Sequence, residues 1–143
     1  MQLTTTMTNL LKSQQQKSES VSLINIYLLR LVFLLTFLFV GYDSWSAIFT
    51  HTGAWKPMHA VAVSVWAAYS TLSLLGLFHP LKLLPLVAFQ IFYKVIWLTI
   101  VALPLWSADA LAGSEAAAMT NAFLWVVLPI AAMPWRYFFR QWL

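Results

Sequence analysis

Four apolar runs separated by short polar stretches organise the chain, and each is long enough to form a membrane-crossing helix. The first extends from about residue 26 to 48, the second from 57 to 78, the third from 81 to 105 and the fourth from 116 to 135. At a rise of about 1.5 Å per residue, the second run alone spans a hydrocarbon core of about 30 Å. Pro57 stands at a favoured first-turn position of that run, and Pro80 and Pro85 fall in the opening turns of the third. Pro104 falls near the far end of the third run, and Pro129 predicts a kink in the fourth. The link His79-Pro80-Leu81-Lys82 is so short that the second and third helices are expected to form a tight antiparallel pair. Residues 1–20, rich in Thr, Gln and Ser, hold no apolar run that could bury a core and predict a disordered tail. Leu3, Met7, Leu10 and Leu11 do share one helical face, which leaves an interfacial helix as the alternative, although the Thr cluster at 4–6 opposes it.

Composition agrees with this layout. The chain is 62% hydrophobic and only 8% charged, whereas a soluble domain carries about 25% charge. So little charge cannot cover a soluble surface, and a lipid-facing surface needs none. With no cysteine there is no disulfide, no thiolate metal site and no thiol redox chemistry. The net charge of +4 does not point to nucleic acid, because the Lys and Arg residues flank apolar runs instead of forming a basic stripe with interleaved aromatics. Lys12, Lys17, Arg30, Lys82, Arg136 and Arg140 fall on one side of the four-helix layout and Lys56 on the other, with Lys94 inside the membrane. This bias predicts an all-α, up-down bundle of four transmembrane helices, residues 21–143, with both termini and the 79–82 turn in the cytoplasm. Trp45, Trp55 and Trp106 mark the outer interface, and Trp135, Tyr137 and Trp142 the inner one. Arg30 interrupts the first run, and starting that helix near Ile26 keeps the guanidinium within about a turn of the lipid phosphates.

Lys94 is the residue that most demands a physical account. Near the midpoint of the third helix, an ammonium costs about 2.5–3.5 kcal/mol on insertion scales, so it is expected to face the bundle interior and to find a partner or a water. Gln90 precedes it by one turn, and Trp97 follows at i+3. Asp43 is the best acidic partner, since Glu19, Asp109 and Glu115 lie in the tail or in loops. By helix rise the two lie about 8 and about 16 Å below the outer helix ends. A direct or water-bridged Asp43–Lys94 pair competes with the plainer reading of Asp43 as an interfacial carboxylate beside Tyr42 and Trp45. His59, Trp66, Tyr69 and Ser73 follow helical spacing down one face of the second helix, Asn121 and Trp125 are a turn apart on the fourth, and Thr36 precedes Asp43 by seven residues. Together they outline a candidate polar site of Lys94, Asp43, Gln90, Tyr69, Asn121, Trp66 and Trp97. The plain alternative is packing, because polar side chains bond across membrane helices at about 0.6–2 kcal/mol without any ligand. Ala60, Ser64 and Ala68 read as a close-packing face. No metal site is expected, and haem is disfavoured because no second histidine matches His59 in depth. No acid pair, Ser-His-Asp arrangement or phosphate-cradling glycine loop is present, so stand-alone catalysis is not expected.

The stretch LLRLVFLLTFLFVGYDSW, with an arginine opening the first helix and a glycine about three turns on, resembles the DoxX-like family of small bacterial four-helix membrane proteins. LSLLGLFHPLKLLPL, a short turn between the second and third helices, is similar too. The resemblance covers Leu28 to Leu86, about half the chain, in apolar motifs. It implies a bacterial inner-membrane protein whose relatives accompany quinone-linked oxidoreductases. The chain departs from the pattern at Asp43 and in the IFYKVIW segment around Lys94, so no functional residue is carried over. Two functions follow as expectations. One is an accessory or scaffolding subunit that binds a partner membrane protein, a lipid or a quinone in an intramembrane polar cavity. The other is a homo-oligomeric transporter or channel for a small solute or ion, using Lys94. Against the latter, the chain has no internal repeat or paired broken helix of the kind that marks larger carriers.

Overall fold

The computed structural model describes residues 1–19 and 21–143, with side chains described outside 13–20. Lys17, counted in the charge bias, and Ser20, the end of the predicted tail, therefore fall outside the described side chains. The first finding departs from expectation: Gln2–Glu19 form a helix, α1, where composition predicts a disordered tail. Thr6 and Thr8 donate their hydroxyls to the carbonyls of Gln2 and Thr4 at 2.9 and 2.7 Å, and Thr5 donates to that of Met1. The threonines thus bond back one turn instead of competing with the helix. Residues 1–12 are all exposed, so α1 buries nothing of its own there.

Three further helices are long and apolar enough to cross a membrane: α2 (Leu23–Thr50), α3 (Pro57–Phe78) and α4 (Leu84–Ser107). Two shorter ones, α5 (Ala116–Ala132) and α6 (Trp135–Trp142), meet at a 77° bend and count as a fourth only when taken together. Helix α2 begins before the predicted Ile26 because Ser22 caps it, its hydroxyl accepting the Asn25 N–H at 3.2 Å. Arg30 therefore lies about two turns inside α2, not one, and its exposed side chain has further to reach to water. The bounds of α3 match the prediction. Helix α4 begins three residues later than the predicted 81, after a turn in which Lys82 and Leu83 donate their N–H groups to the His79 carbonyl. The fourth run stops at Ala132 because Met133 is extended and Pro134 cannot continue the ladder.

Prolines account for two further irregularities. Pro129 lacks the N–H that would bond the Trp125 carbonyl; Leu128 donates to that carbonyl instead, at 3.0 Å, and α5 breaks into turn geometry at Trp125–Val126. In α4 a π-helical turn, Leu98–Ala102, stands just ahead of Pro104. A second π turn, Thr36–Val40, interrupts α2.

Helix α2 is the centre of the assembly, packing along α3 and against the lower half of α5, while α4 packs on α5. The core joins Leu29, Val32 and Phe33 of α2, Leu84, Val87 and Ile91 of α4, and Val126, Ala132 and Met133 around α5. The predicted tight pairing of α3 with α4 is not what forms: α3 takes α2 as its main backbone neighbour. Tyr69 meets the rings of Phe89 and Tyr93 edge-on at 6.1 and 5.9 Å between centroids, and these rings hold α3 and α4 apart. Ser64 and Ala68 are exposed, so the small-residue face of α3 points away from the bundle. Phe39, Phe49, Val61, Phe78, Phe92 and Ile100 also point outward, an apolar exterior suited to lipid.

Candidate functional site

The π turn in α2 decides where Asp43 goes. In an uninterrupted α-helix, the seam formed by Leu29, Val32, Phe33 and Thr36 would continue through Val40 and Asp43. The extra residue in the π turn slips the seam by one position, so the buried residues beyond it are Gly41 and Ser44. Ser44 holds this phase by donating its hydroxyl to the Val40 carbonyl at 2.6 Å. Asp43 is thereby turned off the seam and is exposed at the edge of two cavities.

The larger cavity, about 540 Å³, lies between α2, α4 and α5, and its polar lining is Thr36, Asp43, Gln90 and Lys94. Phe39 and Trp125 also line it and are 65% and 74% exposed, so it opens sideways between α2 and α5, at the surface suited to lipid. The smaller one, about 310 Å³, is lined by His59, Trp66 and Tyr69 of α3, Tyr93 of α4, and Met119 and Phe123 of α5. Asp43 and Lys94 line both cavities, and a volume of about 300–1,000 Å³ is typical of small-molecule sites.

Lys94 is only 8% exposed and faces inward, as expected. It forms neither an ion pair with Asp43 nor a hydrogen bond with any described residue. Its nearest aromatic neighbour is the Phe123 ring, with Nζ 5.8 Å from the centroid, within reach of a cation–π attraction. Among the described residues no sealed side-chain nitrogen or oxygen lacks a partner. The Lys94 ammonium is therefore not sealed, and it opens into cavity space. Of the readings offered for Asp43, a direct bond to Lys94 does not form; the two opposite charges instead line the same cavities.

The remaining predicted residues divide. Gln90 is buried beside Lys94 and donates to the Thr36 hydroxyl across to α2 at 3.4 Å. Tyr69 is buried and bonds the Tyr93 hydroxyl at 3.0 Å, with no bond to Lys94. Trp66 lines the smaller cavity. Trp97 packs edge-on against Phe123, 5.0 Å between centroids, supporting the ring that faces Lys94. Asn121 does not join the cluster: it is exposed, because the inward face of α5 runs through Thr120, Phe123 and Val126. Sequence reasoning missed Phe123, whose apolar neighbours give no polar signal, and Tyr93, which stands beside Lys94 but off its helical face. The spacing Met119, Phe123, Val126 along one face was the available clue to the former. Trp55 stacks between His51 and His59, at 3.6 and 5.9 Å between ring centroids, and keeps the two imidazoles apart. Among the described residues no group of three or more His, Asp and Glu could hold a metal ion.

Chemically, the arrangement offers three N–H donors of an ammonium and one carboxylate to a molecule entering from the hydrocarbon side. It lacks any paired nucleophile and base. The fold thus defines an all-helical chain with three helices, up to four, long and apolar enough to cross a membrane. Comparison with family models, with curated proteins and with solved structures finds no match to this chain. The resemblance to the DoxX-like family accordingly rests on its sequence motifs alone.

Proposed function

We propose that the chain sits in the bacterial inner membrane as four transmembrane helices with both termini cytoplasmic, and acts as an accessory or scaffolding subunit holding the polar head of a quinone or lipid at Lys94. The observation that carries this reading is the Lys94 ammonium, unpaired among the described residues and shared by two cavities. An isolated charge at that depth is costly, and a bound carbonyl, phenolate or phosphate oxygen supplies the acceptor that the described residues withhold. The lateral opening past Phe39 and Trp125 admits a molecule with an apolar tail, while Asp43 disfavours a head of high negative charge.

Native mass spectrometry of gently solubilised protein tests this reading. Wild type is expected to retain a quinone or lipid that Lys94→Met, still helical by circular dichroism, releases. An identical set of adducts on both proteins refutes it. The two cavities flanking Lys94 also favour a second reading, an oligomeric carrier. If no ligand is retained but proteoliposomes show proton or anion flux that Lys94→Met abolishes, that reading replaces the first.

A further inference from the structure

The corner where α5 turns into α6 is built independently of the Lys94 cavities. Asn25, near the start of α2, donates its side-chain amide to the carbonyl of fully buried Ala132 at 3.0 Å, and its amide oxygen accepts the Ser22 hydroxyl at 2.5 Å. The Trp135 indole N–H donates to the Ile130 carbonyl at 3.0 Å. These bonds brace the 77° bend and tie the end of α5 to the foot of α2. Helix α6 is sharply two-faced. Trp135, Phe138, Phe139 and Trp142 share one side, with the first three rings packed together, while Arg136, Tyr137 and Arg140 share the other. Between α6 and the start of α2 is a cavity of about 410 Å³, lined by Ser22, Asn25, Arg136, Tyr137 and Arg140 among others.

Because the Ser22 and Asn25 side chains are already engaged with each other and with the corner, the groups left to meet a guest are two guanidiniums one turn apart and a phenol. Neither arginine forms an ion pair among the described residues. Glu19, the carboxylate nearest in sequence, has its side chain outside them. Two forked guanidiniums facing one polar cavity match the oxygens of a phosphate. Trp135 and Phe138 pack against the core, while the exposed Phe139 and Trp142 are suited to the membrane interface, which is the depth of lipid phosphates.

We propose that this corner is a binding site for a phosphate oxyanion, and that the phosphate is the headgroup of an anionic lipid. Native mass spectrometry with added phosphatidylglycerol, phosphatidylcholine or inorganic phosphate tests it. Wild type is expected to bind phosphatidylglycerol in preference to phosphatidylcholine. Removing each arginine as Arg136→Gln or Arg140→Gln should weaken that binding about fivefold. The deciding variant is Arg136→Lys/Arg140→Lys, which keeps the charge and loses the fork: binding should fall although the surface charge is unchanged. Both arginines are exposed, so circular dichroism and thermal unfolding should match wild type. Displacement of the lipid by inorganic phosphate would support recognition of the oxyanion itself. Three results would each overturn the proposal: full binding by the double-lysine variant, an equal loss in Lys82→Gln, or equal retention of phosphatidylcholine. Inorganic phosphate bound where phosphatidylglycerol is not would assign the cavity to a soluble anion and refute the lipid source.

Discussion

Gly76 of α3 is the point at which the central helix pair is most sensitive to one added carbon. A Cβ built there would lie 2.5 Å from Cδ1 and Cε1 of Phe33 and 2.6 Å from Cγ, whereas carbon atoms pack best at about 3.5–4.0 Å. The ring must retreat by about 1 Å, and it has little room to do so, being 2% exposed and part of the core with Leu29 and Val32. Overpacking of this kind costs about 1–3 kcal/mol. A clash with three atoms of a buried ring belongs in the upper half of that range. Alanine regains about 1 kcal/mol of helix propensity over glycine, so Gly76→Ala should destabilise by about 1–2 kcal/mol. Gly76→Val adds two more methyls without the same regain and should cost more. The assay is reversible unfolding of detergent-solubilised protein by increasing dodecyl sulfate, followed by far-ultraviolet circular dichroism. Combining Gly76→Ala with Phe33→Leu should recover stability, giving a coupling of about 1 kcal/mol or more in the double-mutant cycle. If Gly76→Ala stabilises by its propensity alone and shows no coupling to Phe33, the close approach of α2 and α3 is refuted.

Three further outcomes are expected. Tyr69→Phe or Tyr93→Phe alone should cost about 0.6–2 kcal/mol in the same assay, and the double Phe variant should cost no more than the worse single one, since one shared bond is lost in each case; additive losses would count against the bond. Asp43→Asn and Lys94→Met should be additive within about 0.5 kcal/mol in ligand-free protein, because no direct ion pair joins them; strong coupling without ligand would mean that the two charges pair directly. A reporter fused after Leu143 or inserted at residues 79–82 should score cytoplasmic and one at Gly113 external; an external C-terminus would overturn the orientation drawn from the charge bias.

The spans were legible because hydropathy alone decides where a helix can cross lipid, and Pro57 marks the start of α3 unambiguously. The start of α2 is less legible, because the cost of burying Arg30 favours a start near Ile26 whereas the capping bond of Ser22 sets the helix end at Leu23. The inward positions of Lys94 and Gln90 are legible because a charge, and to a lesser degree an unpaired amide, is costly against hydrocarbon. Asp43 was harder to place. Its spacing from Thr36 fits one helical face only if the helix is regular, and the π turn between them shifts that phase by one residue. Asn121 is a related case: its polarity points to the interior, but the inward face of α5 is set by the packing of Thr120, Phe123 and Val126, with Phe123 against Trp97. The helix at residues 2–19 escaped composition because the threonines found bonds within their own backbone.

The break at Trp125–Val126 also divides α5 mechanically. Below it, Ala132 and Met133 are clamped in the core; above it, Met119, Ala122 and Phe123 form walls of the cavities. Met119 stands six residues from Trp125, a lever of about 9 Å, so a tilt of about 10° at the break carries it about 1.6 Å sideways while the clamped half stays still. The aperture of the smaller cavity and the ring that faces Lys94 therefore ride on the same arm. A guest that wedged the arm outward would draw the Phe123 ring away from the ammonium.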